Sequence, residues 1–153
     1  GKNVGLKTVC FRSGCITGPN HSGAKLHGFL SYLVKTALDK KKYYIFGYKG
    51  KQVRDNIHSY DVVNCFWHFF KKPRIGQIYN MGGGRQSNCS IIEAINTIYK
   101  LTGISIKKDL KKQNRVGDHI WYVSNMKKFK NHYPKWKQIY NSEKIIDELL
   151  SSR

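Results

Sequence analysis

The sequence predicts an α/β fold. Short apolar segments that end at glycine or proline alternate with longer segments in which apolar residues recur every three or four positions, as expected for strands that alternate with helices. At 153 residues the chain has the size of one domain. Its content of 40% hydrophobic and 13% aromatic residues is enough for a core and excludes a disordered chain. We therefore expect residues 1–153 to form a single folded unit.

The first half of the chain is predicted to contain a strand, a helix and a second strand. Residues 6–11 have the composition of a strand, and Ser13-Gly14 and the segment 17–20 follow as turns. The segment 29–40 is predicted to be a helix, because its apolar residues keep helical spacing and its basic residues gather at the C-terminal end, where the helix dipole favours them. Tyr43–Phe46 is predicted to be a short strand.

The second half continues the alternation. A helix over 62–70 is expected to begin at Asp61 as its N-cap, and Gln77–Met81 is expected to be a strand. Ser90 with Glu93 three residues later has the pattern of a capping box for a helix over Ile91–Thr102. The remaining predictions are strands over 104–106 and 120–123 and helices that begin at Ser124 and Ser142.

The charge is strongly basic. Twenty-eight lysines and arginines against nine acidic residues give a net charge of +19, which would attract nucleic acid, anionic lipid or phosphorylated substrates. The basic residues are mostly lysines in short runs spread along the chain, whereas proteins that read bases favour arginine and concentrated stripes. We therefore expect nucleic acid not to be the main partner, and no apolar run is long enough to span a membrane.

The cysteines and histidines suggest neither a disulfide framework nor a metal site. The four cysteines lack paired spacing, and the six histidines show no tight metal-binding pattern. We expect reduced thiols, no bound metal and, because no leader sequence is recognised, a cytoplasmic protein. Cys15 alone lies in a polar turn where it could contact a ligand.

Two arginines are candidates for binding phosphate. Arg54 is surrounded by apolar residues, and the planar fork of a guanidinium suits a diphosphate, although a surface ion pair with Asp55 is the simpler interpretation. Arg115 and Asp118 could bind a phosphate and a ribose hydroxyl, respectively. The run Gly82-Gly83-Gly84 is interpreted as a strand-to-helix turn rather than a phosphate cradle, because it matches no established phosphate-binding pattern.

Five segments of the chain form a pattern when they are taken in order: 11–19, 45–47, 53–61, 79–84 and 115–118. Together they resemble the extended short-chain dehydrogenase/reductase family, and in particular its sugar-nucleotide epimerases and dehydratases. Within that family the run from Gly18 to Gly23 and the sequence Arg54-Asp55-Asn56-Ile57-His58 resemble the branch of CDP-paratose (CDP-tyvelose) 2-epimerases.

The resemblance implies a Rossmann-type enzyme in which NAD binds an N-terminal half that also carries a Tyr-x-x-x-Lys pair for proton transfer. We identify neither a glycine-rich dinucleotide loop nor such a catalytic pair in this sequence. The chain is therefore expected to be the C-terminal portion with its small α/β substrate-binding domain, without the N-terminal NAD-binding half and inactive by itself. An exposed sheet edge beside Val9 and Phe11 could then support a non-native homodimer.

The resemblance also implies binding roles, and no catalytic role, for eleven residues. The implied contacts are nicotinamide and sugar for Ser13, Gly14 and Cys15; the diphosphate and base for His27, Gly28 and Phe29; the base for Ile45 and Phe46; the diphosphate for Arg54; and phosphate and ribose for Arg115 and Asp118.

Two other classes of function remain open. The chain could be a basic nucleotide- or nucleic-acid-binding module without catalysis, or an assembly domain that binds no nucleotide alone.

Overall fold

The strands of this computed structural model, which describes residues 1–24 and 28–152, are short and mostly parallel. They are β1 (Val9–Ser13), β2 (Cys15–Thr17), β3 (Tyr43–Phe46), β4 (Val53–His58), β5 (Gln77–Met81), β6 (Asn88–Ser90), β7 (Lys108–Lys111) and β8 (Trp121–Tyr122). β1 pairs with β5, and β3 with β7, both in parallel. β4 lies parallel to β2 and β8 and antiparallel to β6.

Five α-helices connect and cover these strands, so the predicted α/β class is confirmed. The capping box on the third helix is present as predicted: the Ser90 hydroxyl accepts from the backbone N–H of Glu93, and the Glu93 carboxylate accepts from that of Ser90. The helices are α1 (Phe29–Leu38), α2 (Ser59–Lys71), α3 (Ile91–Thr102), α4 (Lys127–His132) and α5 (Ser142–Ser151).

The N-cap of α2 differs from the prediction. The helix begins at Ser59, and its cap is His58, whose Nδ1 accepts from the backbone N–H of Tyr60 at 3.0 Å. Because Nδ1 is an acceptor there, a neutral ring carries its proton on Nε2, which lies 2.7 Å from a carboxylate oxygen of Glu148. His58 is thus a fixed packing and capping residue that ties α2 to α5.

Asp61, the predicted cap, is fully buried and has a different task. Its two carboxylate oxygens accept from the backbone N–H groups of Ile139 and Tyr140 at 3.0 and 3.1 Å. Two charge-assisted hydrogen bonds therefore fasten the segment before α5 to the first turn of α2.

Several shorter elements also differ from the sequence prediction. Residues 104–106 are not a strand; the strand in this region is β7, and Ile106 is buried as an ordinary core residue. β2 and β4 were not predicted. α4 begins at Lys127 rather than Ser124, and α5 begins at Ser142 with Asn141 as its cap.

One apolar cluster, which we call the helical core, has a fully enclosed centre. It packs α1, α3 and α5 around β3, and its central side chains have no exposed surface. Its fully enclosed members include Leu30, Leu33, Val34, Ile45, Ile98, Ile145 and Leu149.

The second cluster, the aromatic core, lies between α2, α4 and the β1–β5 pair and is open on several sides. Phe11 contacts the rings of Phe66, Phe69, Tyr79 and Phe129 inside it. Among the described strands β1 has a single neighbour, β5, so its other edge is unpaired. The exposed apolar residues around this region are Val63, Phe66, Trp67 and Phe70 on the outer side of α2, and Ile78 on β5.

Within residues 1–24 and 28–152, no helix combines the length and the apolar character that a membrane crossing requires.

Candidate functional site

A cavity of about 210 Å³ lies where the start of α1, β3, β4 and the loop before β8 meet. β3 contributes Tyr43, Tyr44 and Phe46 to the wall of the cavity, and β4 contributes Arg54. The cavity is lined by Cys15, Gly28, Phe29, Tyr43, Tyr44, Phe46, Gln52, Arg54, Ile91, Arg115 and Asp118.

Arg54 forms an ion pair in the wall of this cavity. Its Nη2 donates to a carboxylate oxygen of Asp118, and its Nη1 donates to the carbonyl oxygen of Val53 at 2.8 Å. The side chains of Arg54 and Asp118 are 15% and 22% exposed, so water screens the pair only in part. The guanidinium is therefore held at two points while one side of it faces the cavity.

Aromatic side chains form another part of the cavity wall. The guanidinium carbon of Arg115 lies over the ring of Phe46, 4.7 Å from its centroid, in a cation–π contact. Tyr43 lies beside it, and burial raises the pKa of its hydroxyl to about 12. The Tyr43 phenol is thus protonated at neutral pH. The wall combines flat apolar surface with one positive charge, which suits a ring that carries phosphates.

Gln52 connects the two strands that carry these residues. It is 6% exposed, and its Nε2 donates to the carbonyl oxygen of Phe46 at 3.1 Å. Because Gln52 and Arg54 are two residues apart on one stretch of extended chain, both side chains point toward the cavity. The hydrogen bond therefore fixes the end of β3 relative to Arg54.

Asp55 points to the opposite face of β4 and is fully buried. One of its oxygens accepts from the backbone N–H groups of Gly84 and Ser124, both at 2.9 Å. A Cβ atom at Gly83 would lie 2.1 Å from the backbone oxygen of Asn56, so this position requires glycine for close packing. The packing supports our interpretation of the glycine run as a turn, and Arg54 pairs with Asp118 rather than with Asp55.

Cys15 lines the cavity as a thiol. Burial raises its pKa, the negative charge of Asp55 adds to the increase, and Arg54 opposes it. Burial thus favours the protonated thiol, which is a poor nucleophile. Among the residues that the structure describes, no group of three histidine, cysteine or acidic side chains could hold a metal ion.

Seven of the eleven predicted site residues line the one cavity: Cys15, Gly28, Phe29, Phe46, Arg54, Arg115 and Asp118. Ile45 lies between two lining residues, but its side chain is buried in the helical core. Ser13 and Gly14 lie at the end of β1 and in the turn after it, outside the lining, and His27 lies outside the described residues.

Sequence reasoning missed four lining residues: Tyr43, Tyr44, Gln52 and Ile91. Extending the two-residue period of β4 back from Arg54 would have found Gln52. Ile91 reaches the site through the packing of α3, which the local sequence does not reveal.

The sequence contains two overlooked Tyr-x-x-x-Lys spacings, at Tyr133–Lys137 and Tyr140–Lys144. Tyr133 is buried in the aromatic core and donates its hydroxyl to the carbonyl oxygen of Lys72. The Tyr140 ring stacks on His58 at a centroid distance of 3.8 Å. Neither tyrosine lines the cavity, so both spacings serve packing here.

Residues 1–82 match the family described as the NAD dependent epimerase/dehydratase family. A curated relative, the CDP-paratose 2-epimerase of Salmonella typhi, is 27% identical over 137 residues, which cover 83% of this chain and 39% of that protein. The chain thus spans about two fifths of that relative's length.

Solved structures of nucleotide-sugar epimerases have the same fold. The UDP-glucose 4-epimerase of Thermus thermophilus in complex with NAD superposes with a TM-score of 0.83 at 19% identity. The match covers 99% of this chain and 48% of that enzyme's chain. The UDP-glucuronic acid 4-epimerase from Bacillus cereus in complex with UDP-glucuronic acid and NAD has a TM-score of 0.80 at 23% identity, and the match covers 94% of this chain and 44% of that enzyme's chain. The described elements therefore correspond to somewhat less than half of a Rossmann-type epimerase.

Proposed function

Because this chain belongs to the NAD-dependent epimerase/dehydratase family, we propose that it is the nucleotide-sugar-binding portion of an NAD-dependent nucleoside-diphosphate-sugar epimerase. The observation that carries the proposal is the cavity in which Arg54, Arg115 and an aromatic wall meet. A nucleoside diphosphate needs such a combination, because its base offers a flat ring and its diphosphate two negatively charged groups.

In the proposed complex the base lies against the Phe46 side of the cavity, and Arg54 and Arg115 bind the diphosphate. The cavity of about 210 Å³ accommodates the nucleoside end of such a ligand rather than all of it. The sugar would extend past Cys15 toward Ser13 and Gly14. These contacts, and the one implied for His27, rest on the family resemblance together with the position of the cavity.

NAD would supply the hydride chemistry of the complete enzyme. We propose that most of the NAD site lies outside this chain, because the cavity that Arg54 lines is too small for a dinucleotide and the sequence has no G-x-G-x-x-G turn between a strand and a helix. We propose that Ser13, Gly14 and Cys15 form one edge of the NAD site and that this chain alone gives no turnover.

We propose that additional polypeptide carrying the NAD site covers the open side of the aromatic core. The unpaired edge of β1 and the exposed stripe on α2 are surfaces of the kind that a further strand and helix would bury. Without that cover, the same surfaces could support a homodimer. The four cysteines are free thiols, which fits the cytoplasm, the location that we propose.

Calorimetric titration of the 153-residue chain tests the proposal. We expect saturable binding of CDP-glucose or UDP-glucose, no binding of NAD, and at least tenfold weaker sugar-nucleotide binding by Arg54→Ala, because the variant loses a fork that faces the ligand. Arg85→Ala is the matched control, because Arg85 is exposed and lies outside the cavity.

Titrations at two salt concentrations separate this proposal from the alternative. Equal, strongly salt-dependent binding of any polyanion, unaffected by Arg54→Ala, would replace the proposal with a basic nucleic-acid-binding module. No binding of any nucleotide would favour an assembly domain instead.

A further inference from the structure

We propose that Asp118 determines which anions can use Arg54. When no ligand is bound, the Asp118 carboxylate pairs with the guanidinium group and opposes the binding of bare phosphate anions. A ligand can displace the carboxylate when it also offers it a hydrogen-bond donor. The identity of the natural ligand rests on the proposed function, whereas the competition between Asp118 and phosphate rests on the ion pair alone.

The ion pair uses the part of Arg54 that a phosphate would need. Nη1 is engaged by the Val53 carbonyl oxygen and Nη2 by Asp118, and Arg54 and Asp118 line the same cavity. A phosphate that approaches Nη2 from the cavity therefore competes with the Asp118 carboxylate for this group. Binding is thus an exchange of one anion for another.

The exchange is unfavourable for a bare anion. Asp118 is about one fifth exposed, so a displaced carboxylate would remain partly buried and beside the incoming negative charge. A ligand with hydroxyl groups next to its phosphates can donate a hydrogen bond to that carboxylate and offset the loss. Specificity then arises from a repulsion that only the correct ligand relieves.

The net charge of the whole protein makes selection among anions necessary. A net charge of +19 attracts every polyanion in its surroundings. Among the described residues that line the cavity, three are charged, Arg54, Arg115 and Asp118, and together they carry a net charge of +1. Without Asp118 the cavity would present two uncompensated guanidinium groups and would bind phosphate indiscriminately.

The test compares three probes by calorimetry at one ionic strength: pyrophosphate, CDP, and 2′,3′-dideoxy-CDP, which lacks both ribose hydroxyls. For the wild-type chain we expect CDP to bind at least tenfold more tightly than either of the other two. In Asp118→Asn we expect pyrophosphate to bind at least tenfold more tightly than it does to the wild type, so that the preference for CDP shrinks. Asp118→Glu, which keeps the charge, should keep the preference.

Asp109→Asn is the matched control, since it removes a carboxylate that pairs with Lys111 at the surface and lies outside the cavity. It should leave all three affinities within twofold of the wild type. Thermal melts confirm that each variant folds.

The outcomes separate the two proposals. A parallel loss of CDP and pyrophosphate binding in Asp118→Asn would overturn the inference, because Asp118 would then only hold Arg54 in place; unchanged affinities would overturn it as well. If the wild type binds no nucleotide, the proposed function fails, but tighter pyrophosphate binding by Asp118→Asn would still support the competition.

Discussion

The helical core and the aromatic core differ in how completely the apolar residues around them are covered. Around β3, the side chains of Leu30, Leu33 and Ile98 have no exposed surface. Around β1, by contrast, Phe70 is 72% exposed and one strand edge is unpaired. The enclosed side chains of the helical core pack beside the cavity, whereas the region around β1 is the one for which we propose an interface.

The largest loss of stability is expected from a cavity created in the helical core. Leu33→Ala should lower the free energy of unfolding by about 2–5 kcal/mol, because Leu33 is fully enclosed and its neighbours cannot fill the space. Urea denaturation followed by circular dichroism measures the change. A loss below about 1 kcal/mol would mean that this core is less tightly packed than the structure shows.

The connection between the two regions through Asp61 should give the next largest effect. Asp61→Ala leaves the N–H groups of Ile139 and Tyr140 without their acceptor, which should cost about 2–4 kcal/mol. Asp147→Ala, which removes an exposed carboxylate from α5, is the control and should change stability by less than about 0.5 kcal/mol. Equal effects of the two variants in the same denaturation experiment would contradict the role assigned to Asp61.

The capping box at the start of α3 should contribute less. Ser90→Ala should cost about 1 kcal/mol, because the N–H of Glu93 loses its acceptor. The same substitution should also make the stability of the fold depend less on pH. Hydrogen bonds from the backbone and hydroxyl of Ser90 lower the pKa of Glu93 from its ordinary value of 4.5.

The sign of that pH dependence follows from linkage. Because the folded state holds the Glu93 proton less tightly than the unfolded state, the stabilisation is complete above about pH 4.5 and is lost as the pH falls through the lower, folded-state pKa. Melting temperatures between pH 6 and 3 should fall less in Glu93→Gln than in the wild type. An equal fall in both proteins would show that Glu93 does not contribute to the pH dependence of stability.

The open region should respond least in stability. Phe70→Glu should change the free energy of unfolding by no more than about 0.5 kcal/mol, because the side chain is mostly in water. The same change should abolish any concentration-dependent association of the chain, measured by light scattering after size exclusion. Unchanged association would show that the stripe on α2 is not the contact surface.

The sequence predicted those elements whose signals are local. The capping box of Ser90, the apolar spacing of α1 and the aromatic strand β3 each carry their evidence within a few residues. Arg54 and Asp118 were likewise found as separate candidates from their residue types and surroundings. Most of the chemical groups that line the cavity are therefore among the residues that the sequence singled out.

The unpredicted features depend on pairings between distant segments. β2 is three residues long and exists only because it pairs with β4, and Asp61 caps no helix because two N–H groups from residues 139 and 140 reach it. The ion pair of Arg54 with Asp118 joins residues 64 positions apart. Local patterns contain no information about such contacts.

The most direct test of the central claim is to map a ligand onto the isotope-labelled chain by nuclear magnetic resonance. On titration with CDP-glucose we expect saturable shifts of the backbone amides of Gly28, Phe46, Arg54 and Arg115, while those of residues 9–12 in β1 and those of β5 stay in place. That result would establish a self-contained nucleotide-sugar cavity beside an open interface. Unsaturated shifts spread over the surface lysines, or shifts centred on β1 and β5, would contradict the account.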